Sequence, residues 1–316
     1  MKIKNDQLFL PKLKMVLSVI FWGGSFIAIK IAVSESSPAV VVWLRFLIGV
    51  VCLFPIVLKE DKLHLSGWKE ALEYTILGAL GVTLHQWLQS TGLVTSQAST
   101  TAWIVASTPL FMVLFSRIFL KEKLGKFGSI GIALASFGVV MVVSSGDFRS
   151  LFQNGFGAPG DMYVLLSAPN WAIYSILLSH TLKRHSVLKT TFFTMLFGWL
   201  LTSVQFISEK GWHHFATFSI SGWISVLYLG IFCSFLAYLF YYDALQNLTS
   251  ASVGAYLYVE PIATMFMAAF VLGEEITFPS VLGGALILIG ISLVNKRIQS
   301  ARPSKNQDLT MVADDD

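Results

Sequence analysis

Four ionisable side chains stand inside long apolar stretches of this 316-residue chain: Lys30, Arg45, His85 and Glu260. Charge in hydrocarbon is costly, so each needs a partner, a neutral form or a function. Glu260 lies about 11 residues into the apolar run 249–271 and is followed at once by Pro261. A carboxyl there can couple protons or capture a substrate amine. It can equally be half of a buried pair or a protonated acid bonded to a neighbour. Lys30 and Arg45 are its candidate charge partners. At 1.5 Å rise per residue Arg45 is expected about 5 Å further out than Glu260, within reach of a long side chain if their helices are neighbours. His85 sits mid-run, where an imidazole can be a hydrogen-bonded structural group, a substrate contact or a proton-responsive group. No second His or Cys stands at ligand spacing from it, so no metal site is expected.

Polar and aromatic residues surround these four at helical spacing, since positions i, i+3, i+4 and i+7 share a face. The stripes are Ser18, Trp22 and Ser25; His85 and Gln89 with Gln86 beside them; Thr100, Trp103 and Ser107; Ser167, Asn170, Trp171 and Tyr174; Ser234, Tyr238 and Tyr241; and Tyr256, Glu260 and Thr264. Each hydroxyl alone can be explained by a bond to its own helix backbone. Six stripes together are most economically read as facing one cavity. The expected substrate-binding set is Ser25, His85, Gln86, Gln89, Trp103, Asn170, Trp171, Tyr174, Tyr238, Tyr256 and Glu260. The flat rings suit a mid-sized amphipathic solute, and can stack on an aromatic group or sit over an ammonium.

The elements that must position these residues are membrane-spanning helices. The chain is 55% hydrophobic and 13% charged, against about a quarter charged in a soluble domain. Ten runs of roughly 20 residues are expected to span, at about 13–33, 39–58, 71–93, 98–119, 126–145, 160–180, 188–208, 220–243, 249–271 and 279–296. The first begins after Lys12 and Lys14 and is too long for a cleaved signal, so it is read as retained. With the N-terminus inside, the cytoplasmic segments carry 18 Lys and Arg and the outer segments two, Arg149 and Lys210. That asymmetry predicts both termini in the cytoplasm and explains the net charge of +4 without nucleic acid. Cys52 and Cys233 lie in apolar runs and suggest no disulfide framework.

The halves repeat. A shift of 152 residues lays Leu93 on Leu245, Pro109 on Pro261, Leu120 on Leu272, Glu122 on Glu274, Gly131 on Gly283 and Gly138 on Gly290. Five spans per half force the second copy to enter the membrane from the opposite side, an inverted-topology repeat typical of secondary transporters. The expected fold class is therefore an all-α polytopic membrane protein with ten transmembrane helices in two inverted-topology five-helix repeats. Residues 1–12 form a cytoplasmic N-terminus, 13–145 the first repeat, 146–159 an outer linker, 160–296 the second repeat and 297–316 a disordered cytoplasmic tail. Pro109 and Pro261 are expected to break their helices, whether to present carbonyls, to bend or only to pack.

Phe21-Trp-Gly-Gly-Ser-Phe-Ile-Ala-Ile-Lys30, Trp43-Leu-Arg-Phe46, Pro109 with Leu120-Lys-Glu122, and Glu260-Pro261 with Leu272-Gly-Glu274 resemble the EamA family of the drug/metabolite transporter superfamily, over about 13–296. The resemblance implies a ten-helix carrier in the cytoplasmic membrane, often an exporter of amino acids or other small metabolites, without fixing a substrate.

Other motifs carry less. Gly155-Phe-Gly-Ala-Pro-Gly160 fits a dinucleotide fingerprint but follows no strand and contains Pro159, which excludes it. Glu122 and Glu274 precede spans and suit helix N-terminal stabilisation. The expected function is a secondary transporter of a small organic metabolite, an amino acid or a related amphipathic solute, with export the expected direction. The bilayer and the solute are its partners and protons a candidate coupling ion. No cofactor and no nucleic acid are expected, and the oligomeric state is open. The rival readings are a flippase for lipid or lipid-linked substrates and a membrane enzyme on such a substrate. The enzyme would need clustered loop acids, and only Glu60-Asp61 comes near.

Overall fold

The computed structural model describes residues 5–60, 63–108, 110–111, 114–115, 126–149, 157–248 and 256–300. Those residues form helices and turns, with no strand among them. The first half holds α1 (Asn5–Glu35), α2 (Pro38–Lys59), α3 (Trp68–Gly78), a π-helical turn at Ala79–Leu84, α4 (His85–Thr95), α5 (Ala98–Val105) and α6 (Lys126–Val143). The second holds α7 (Pro159–Thr181), α8 (Val187–Ser208), α9 (Ile220–Tyr228), a π-helical stretch at Leu229–Leu236, α10 (Ala237–Asn247), α11 (Val259–Leu272) and α12 (Phe278–Ser300).

Among the described residues five helical runs are long and apolar enough to cross a membrane: Phe9–Glu35, Pro38–Lys59, Pro159–Thr181, Val187–Ser208 and Ile220–Asn247. Three shorter apolar helices are Ile130–Val143, Val259–Leu272 and Phe278–Gly290. The chain is thus a polytopic membrane protein. The helical run through α3 and α4 is continuous but carries His85, Gln86 and Gln89 in its middle, which lowers its hydropathy. α1 begins at Asn5 and α12 ends at Ser300, beyond both ends expected for the first and last spans. Pro109, Glu122 and the expected tail beyond Ser300 lie outside the described residues.

Local chemistry explains most helix starts. Ser37, Ser186 and Ser219 cap α2, α8 and α9 by accepting from the amides of Val40, Lys189 and Gly222, the usual use of serine at that position. Pro159 opens α7, and Asp161 reaches back to the Ala158 amide at 2.9 Å. Glu35, at the end of α1, accepts from both the amide and the hydroxyl of Ser219 at 2.7 Å.

The 152-residue offset recurs in the coordinates. Moved by 152, the π-helical turn 79–84 falls at 231–236, inside the second π-helical stretch. The turn at 106–107 falls at 258–259, where Tyr258 interrupts the second copy. Contacts between elements come in matching sets: α1 packs on α10 and α11, and α7 on α4 and α5. α2 packs on the second π-helical stretch, and α8 on the first.

α6 and α12 touch along glycines. A Cβ on Gly138 would lie 2.6 Å from the Gly283 carbonyl, and one on Gly290 2.5 Å from that of Gly131. As residue number rises on one helix it falls on the other, so the pair is antiparallel. Gly138 and Gly290 are offset mates, as are Gly131 and Gly283. We therefore expect Gly138→Leu to cost about 1–3 kcal/mol by forcing the backbones apart. A thermal-shift measurement in detergent should show a clear fall in apparent Tm, whereas Ile130→Leu, at a half-exposed position, should leave it unchanged.

Candidate functional site

The site is built where the π-helical segments face the first helix of the other half. A π-turn shifts the backbone ladder by one residue and leaves carbonyls without their usual partners. In hydrocarbon those carbonyls must find donors. Trp22 Nε1 on α1 donates to Cys233 O at 3.1 Å, and Ser18 Oγ to Ala237 O at 2.8 Å. From the first helix of the other half Asn170 Nδ2 on α7 donates to Leu80 O at 2.8 Å, while His85 Nδ1 approaches the Ser167 carbonyl of α7 at 3.3 Å. Tyr238 OH donates to Gly81 O at 3.3 Å. Gly81 is glycine because a Cβ there would enter the Tyr174 ring at 2.4 Å.

At the centre Gln86 Nε2 donates to Tyr238 OH at 3.3 Å. These two residues are exactly one offset apart in sequence, so the bond joins equivalent positions of the halves. Arg45 is attached to it: Nη1 donates to Gln86 Oε1 at 2.7 Å and Nε to Ser234 Oγ at 3.0 Å. Rings enclose the junction. Trp22 stands edge-on to Trp171 (6.2 Å) and Tyr238 (5.7 Å) and tilted to Tyr241 (5.0 Å). Trp171 lies 4.5 Å from His85 and 4.9 Å from Tyr174. Tyr174 shares a hydroxyl contact with Tyr242.

Of the expected site residues, His85, Gln86, Asn170, Trp171, Tyr174 and Tyr238 are thus brought together. Gln89 is buried beside them, and Tyr256 packs against the same apolar core. Ser25 donates to the Trp22 carbonyl of its own helix at 2.7 Å. Trp103 lies elsewhere: it is 3% exposed and packs against Gly284 of α12, because α5 turns that face to the α6–α12 pair. Pro261 is buried in the first turn of α11.

The expected charge partners do not reach Glu260. Lys30 donates to the Ser96 carbonyl at the end of α4, and Arg45 is held by Gln86 and Ser234 on another face. The reach expected between them needs α2 and α11 as neighbours, but α11 packs on α1 and α2 on the second π-helical stretch. Among the described residues the Glu260 side chain, part-buried, makes no hydrogen bond or ion pair. Its backbone lies against α1, where the carbonyl oxygen would meet a Cβ on Gly23 at 3.3 Å.

Sequence reasoning missed Tyr242, and Trp22 and Tyr241 stood in the stripes without being counted as site residues. The adjacent Tyr241 and Tyr242, next to a striped helix, were the available signal. It also placed Glu274 at its own following helix. The carboxylate instead caps α5 of the other half, accepting from the Ala98 amide (2.7 Å), the Ser99 amide (3.1 Å) and Ser99 Oγ (2.6 Å). Beside it Ser96 Oγ donates to Asp161 at 2.6 Å and the Gly160 amide to Thr95 Oγ1 at 2.8 Å. These bonds tie the two halves together at one end of the bundle. The opposite ends are tied by Lys14–Asp243 (2.9 Å), Arg184–Glu73 (2.6 Å) and Lys189–Glu70 (2.7 Å). Burial pushes the Glu70 carboxyl up, but Lys189, the Ser66 amide and His185 outweigh it and hold the group below the ordinary carboxylate value. No group of three or more His, Cys, Asp or Glu able to hold a metal occurs among the described residues.

A model of the EamA-like transporter family matches residues 11–144 and 158–296. An uncharacterized transporter of Archaeoglobus fulgidus is 28% identical over 285 residues, covering 90% of this chain and 97% of that protein. The uncharacterized transporter YyaM of Bacillus subtilis is 26% identical, covering 86% and 89%. A protein of Streptantibioticus cattleyicolor, named a probable terminal-alkyne amino-acid exporter, is 26% identical, covering 91% and 94%. A solved crystal structure superposes with TM-score 0.63 at 18% identity over 93% of this chain and 98% of that one, a likeness of fold. The three named relatives are transporters, which argues against the enzyme reading.

The Glu274 cap is expected to hold its mouth shut. With Ala98→Cys as reporter, adding Glu274→Gln should raise the rate of labelling by a membrane-impermeant maleimide by about tenfold, the size of one or two lost charge-assisted bonds. An unchanged rate would mean that these bonds do not hold the mouth.

Proposed function

We propose that this chain, which belongs to the EamA-like transporter family, is a secondary carrier that moves a small organic solute across the cytoplasmic membrane by alternating access. The solute class is an amino acid or a related amphipathic metabolite, and the direction is export. Ten spans in two inverted five-helix halves, with both termini in the cytoplasm, are the architecture of this reading. It is supported by the antiparallel α6–α12 pair, the matching π-helical segments and the paired contacts. The orientation rests on the 18-to-2 division of Lys and Arg.

One observation carries the proposal: polar and aromatic side chains of both halves converge on a bond between equivalent residues, Gln86 and Tyr238. A solute held at such a junction touches both halves, so rocking one half on the other changes its access and not its contacts. The rings of Trp22, Trp171, Tyr238 and Tyr241 supply apolar walls with a few donors. Glu260, uncompensated beside α1, supplies a group for a substrate amine or a coupling proton. The exporter name of one relative favours outward movement of amino-acid-like solutes.

Purified protein in liposomes, given labelled amino acids and metabolites in turn, should show saturable flux of at least one. Lipid scrambling with no saturable flux of any of them would overturn the carrier reading in favour of a flippase. Glu260→Gln should lower flux at least about tenfold or flatten its pH profile, as expected for loss of a charge contact made during transport. Unchanged flux and an unchanged pH profile would remove Glu260 from the mechanism.

A further inference from the structure

We infer that Arg45 is the residue that selects the solute by charge, its guanidinium receiving a carboxylate of the transported molecule. The inference rests on the carrier reading and adds to it a residue and a chemical requirement.

A guanidinium stays protonated in any protein environment and cannot escape burial by losing its charge. Buried charge is normally matched by an opposite charge, because the desolvation cost is several kcal/mol. Arg45 is 1% exposed, yet its two bonds go to neutral oxygens, those of Gln86 and Ser234. Its carbon lies 5.2 Å from the ring of its neighbour Phe46. No carboxylate bonds it among the described residues. Five N–H donors are available, and two bonds leave the others for a further acceptor.

Among the described residues Glu260, the acid inside the apolar run of α11, does not bond Arg45, which is held by Gln86 and Ser234. Ser234, which holds Arg45, follows Cys233, and Cys233 meets α1 through Trp22 Nε1 and the Phe21 carbonyl. Gly23, on the same turn of α1, meets the Glu260 backbone. Cys233 and this aromatic turn of α1 therefore join the segments that carry Arg45 and Glu260. An opposite pair that was only structural would gain by closing into a salt bridge. Two poles held apart across an aromatic wall complement a molecule carrying its own opposite poles. A carboxylate can take the free guanidinium edge while an ammonium meets Glu260. Gln86 and Ser234 fix the plane of the guanidinium, so the remaining donors form a fork that suits a carboxylate and not a lone carbonyl.

The test uses the purified full chain in liposomes with the twenty amino acids, their carboxamides and their decarboxylated amines as competitors of the best-transported label. We expect each amide and amine to compete at least about tenfold less well than its parent acid, the scale of one charge-assisted interaction. Arg45→Gln should erase that preference. Arg45→Lys, which keeps the charge but loses the fork, should raise KM for acids while retaining the preference. Acids and amides competing equally in the wild-type protein would overturn the role of Arg45, and this comparison needs no variant to fold. A monodisperse Arg45→Gln protein that keeps the acid preference would overturn it as well. Absence of flux for every acid, amide and amine would instead sink the carrier reading itself.

Discussion

A guanidinium buried among membrane-spanning helices has to be solvated by the protein. Here Arg45 is solvated by Gln86 and Ser234, and Gln86 is in turn tied to Tyr238. That short chain of bonds crosses from one half of the molecule to the other at equivalent positions. Much of the remaining architecture follows from making the crossing possible. Helices α3–α4 and α9–α10, equivalent under the 152-residue offset, must both reach this crossing. Each does so through a π-helical turn that releases backbone carbonyls toward the other half's first helix. Trp22, Ser18 and Asn170 absorb those carbonyls, so the unusual backbone carries no unsatisfied group at these points.

Close approach also needs missing side chains. Gly78 of α3 meets the Gly198 amide of α8 at 2.5 Å from an imagined Cβ, and Gly81 meets Tyr174. At the periphery α6 and α12 use Gly131, Gly138, Gly283 and Gly290 in the same way. The glycines therefore bring two helical halves near enough for a few polar side chains to reach across, in an environment where neither water nor lipid can serve as partner. The two ends of the bundle are tied by a different kind of contact. Glu274 sits on the N-terminal amides of α5, and Lys14 pairs with Asp243, both made of groups that water can replace when the mouth opens.

Much of this was legible in the sequence because it depends on spacing. The 152-residue offset came from Pro, Gly and Glu at matching positions, and it reappears as the π-turn positions and as the Gln86–Tyr238 bond. The polar stripes located His85, Asn170, Trp171 and Tyr174 on one junction. The rest was not legible for identifiable reasons. A π-turn changes hydrogen-bond register without changing composition, so nothing marked Ala79–Leu84. Height along a helix allowed Arg45 to reach Glu260 only if their helices were neighbours and says nothing about which faces meet; Arg45 bonds Gln86 and Ser234 instead. Trp103 had the same periodicity as the site residues, yet α5 turns it toward Gly284. Ser25 looked like a stripe member but satisfies its own helix. Glu274 was recognised as a helix-capping acid, while the helix it caps belongs to the other half and no local rule identifies it.

The central claim is that the halves exchange access about the Gln86–Tyr238 junction. Spin labels at Val94 and Val271 report on the mouth closed by Glu274, and labels at His180 and Asn247 report on the opposite one. Distances measured by double electron–electron resonance, with and without the solute identified by flux, test the claim most directly. The account predicts that the two distances shift in opposite senses when solute binds. Two distances that stay fixed, or that lengthen together, would contradict it.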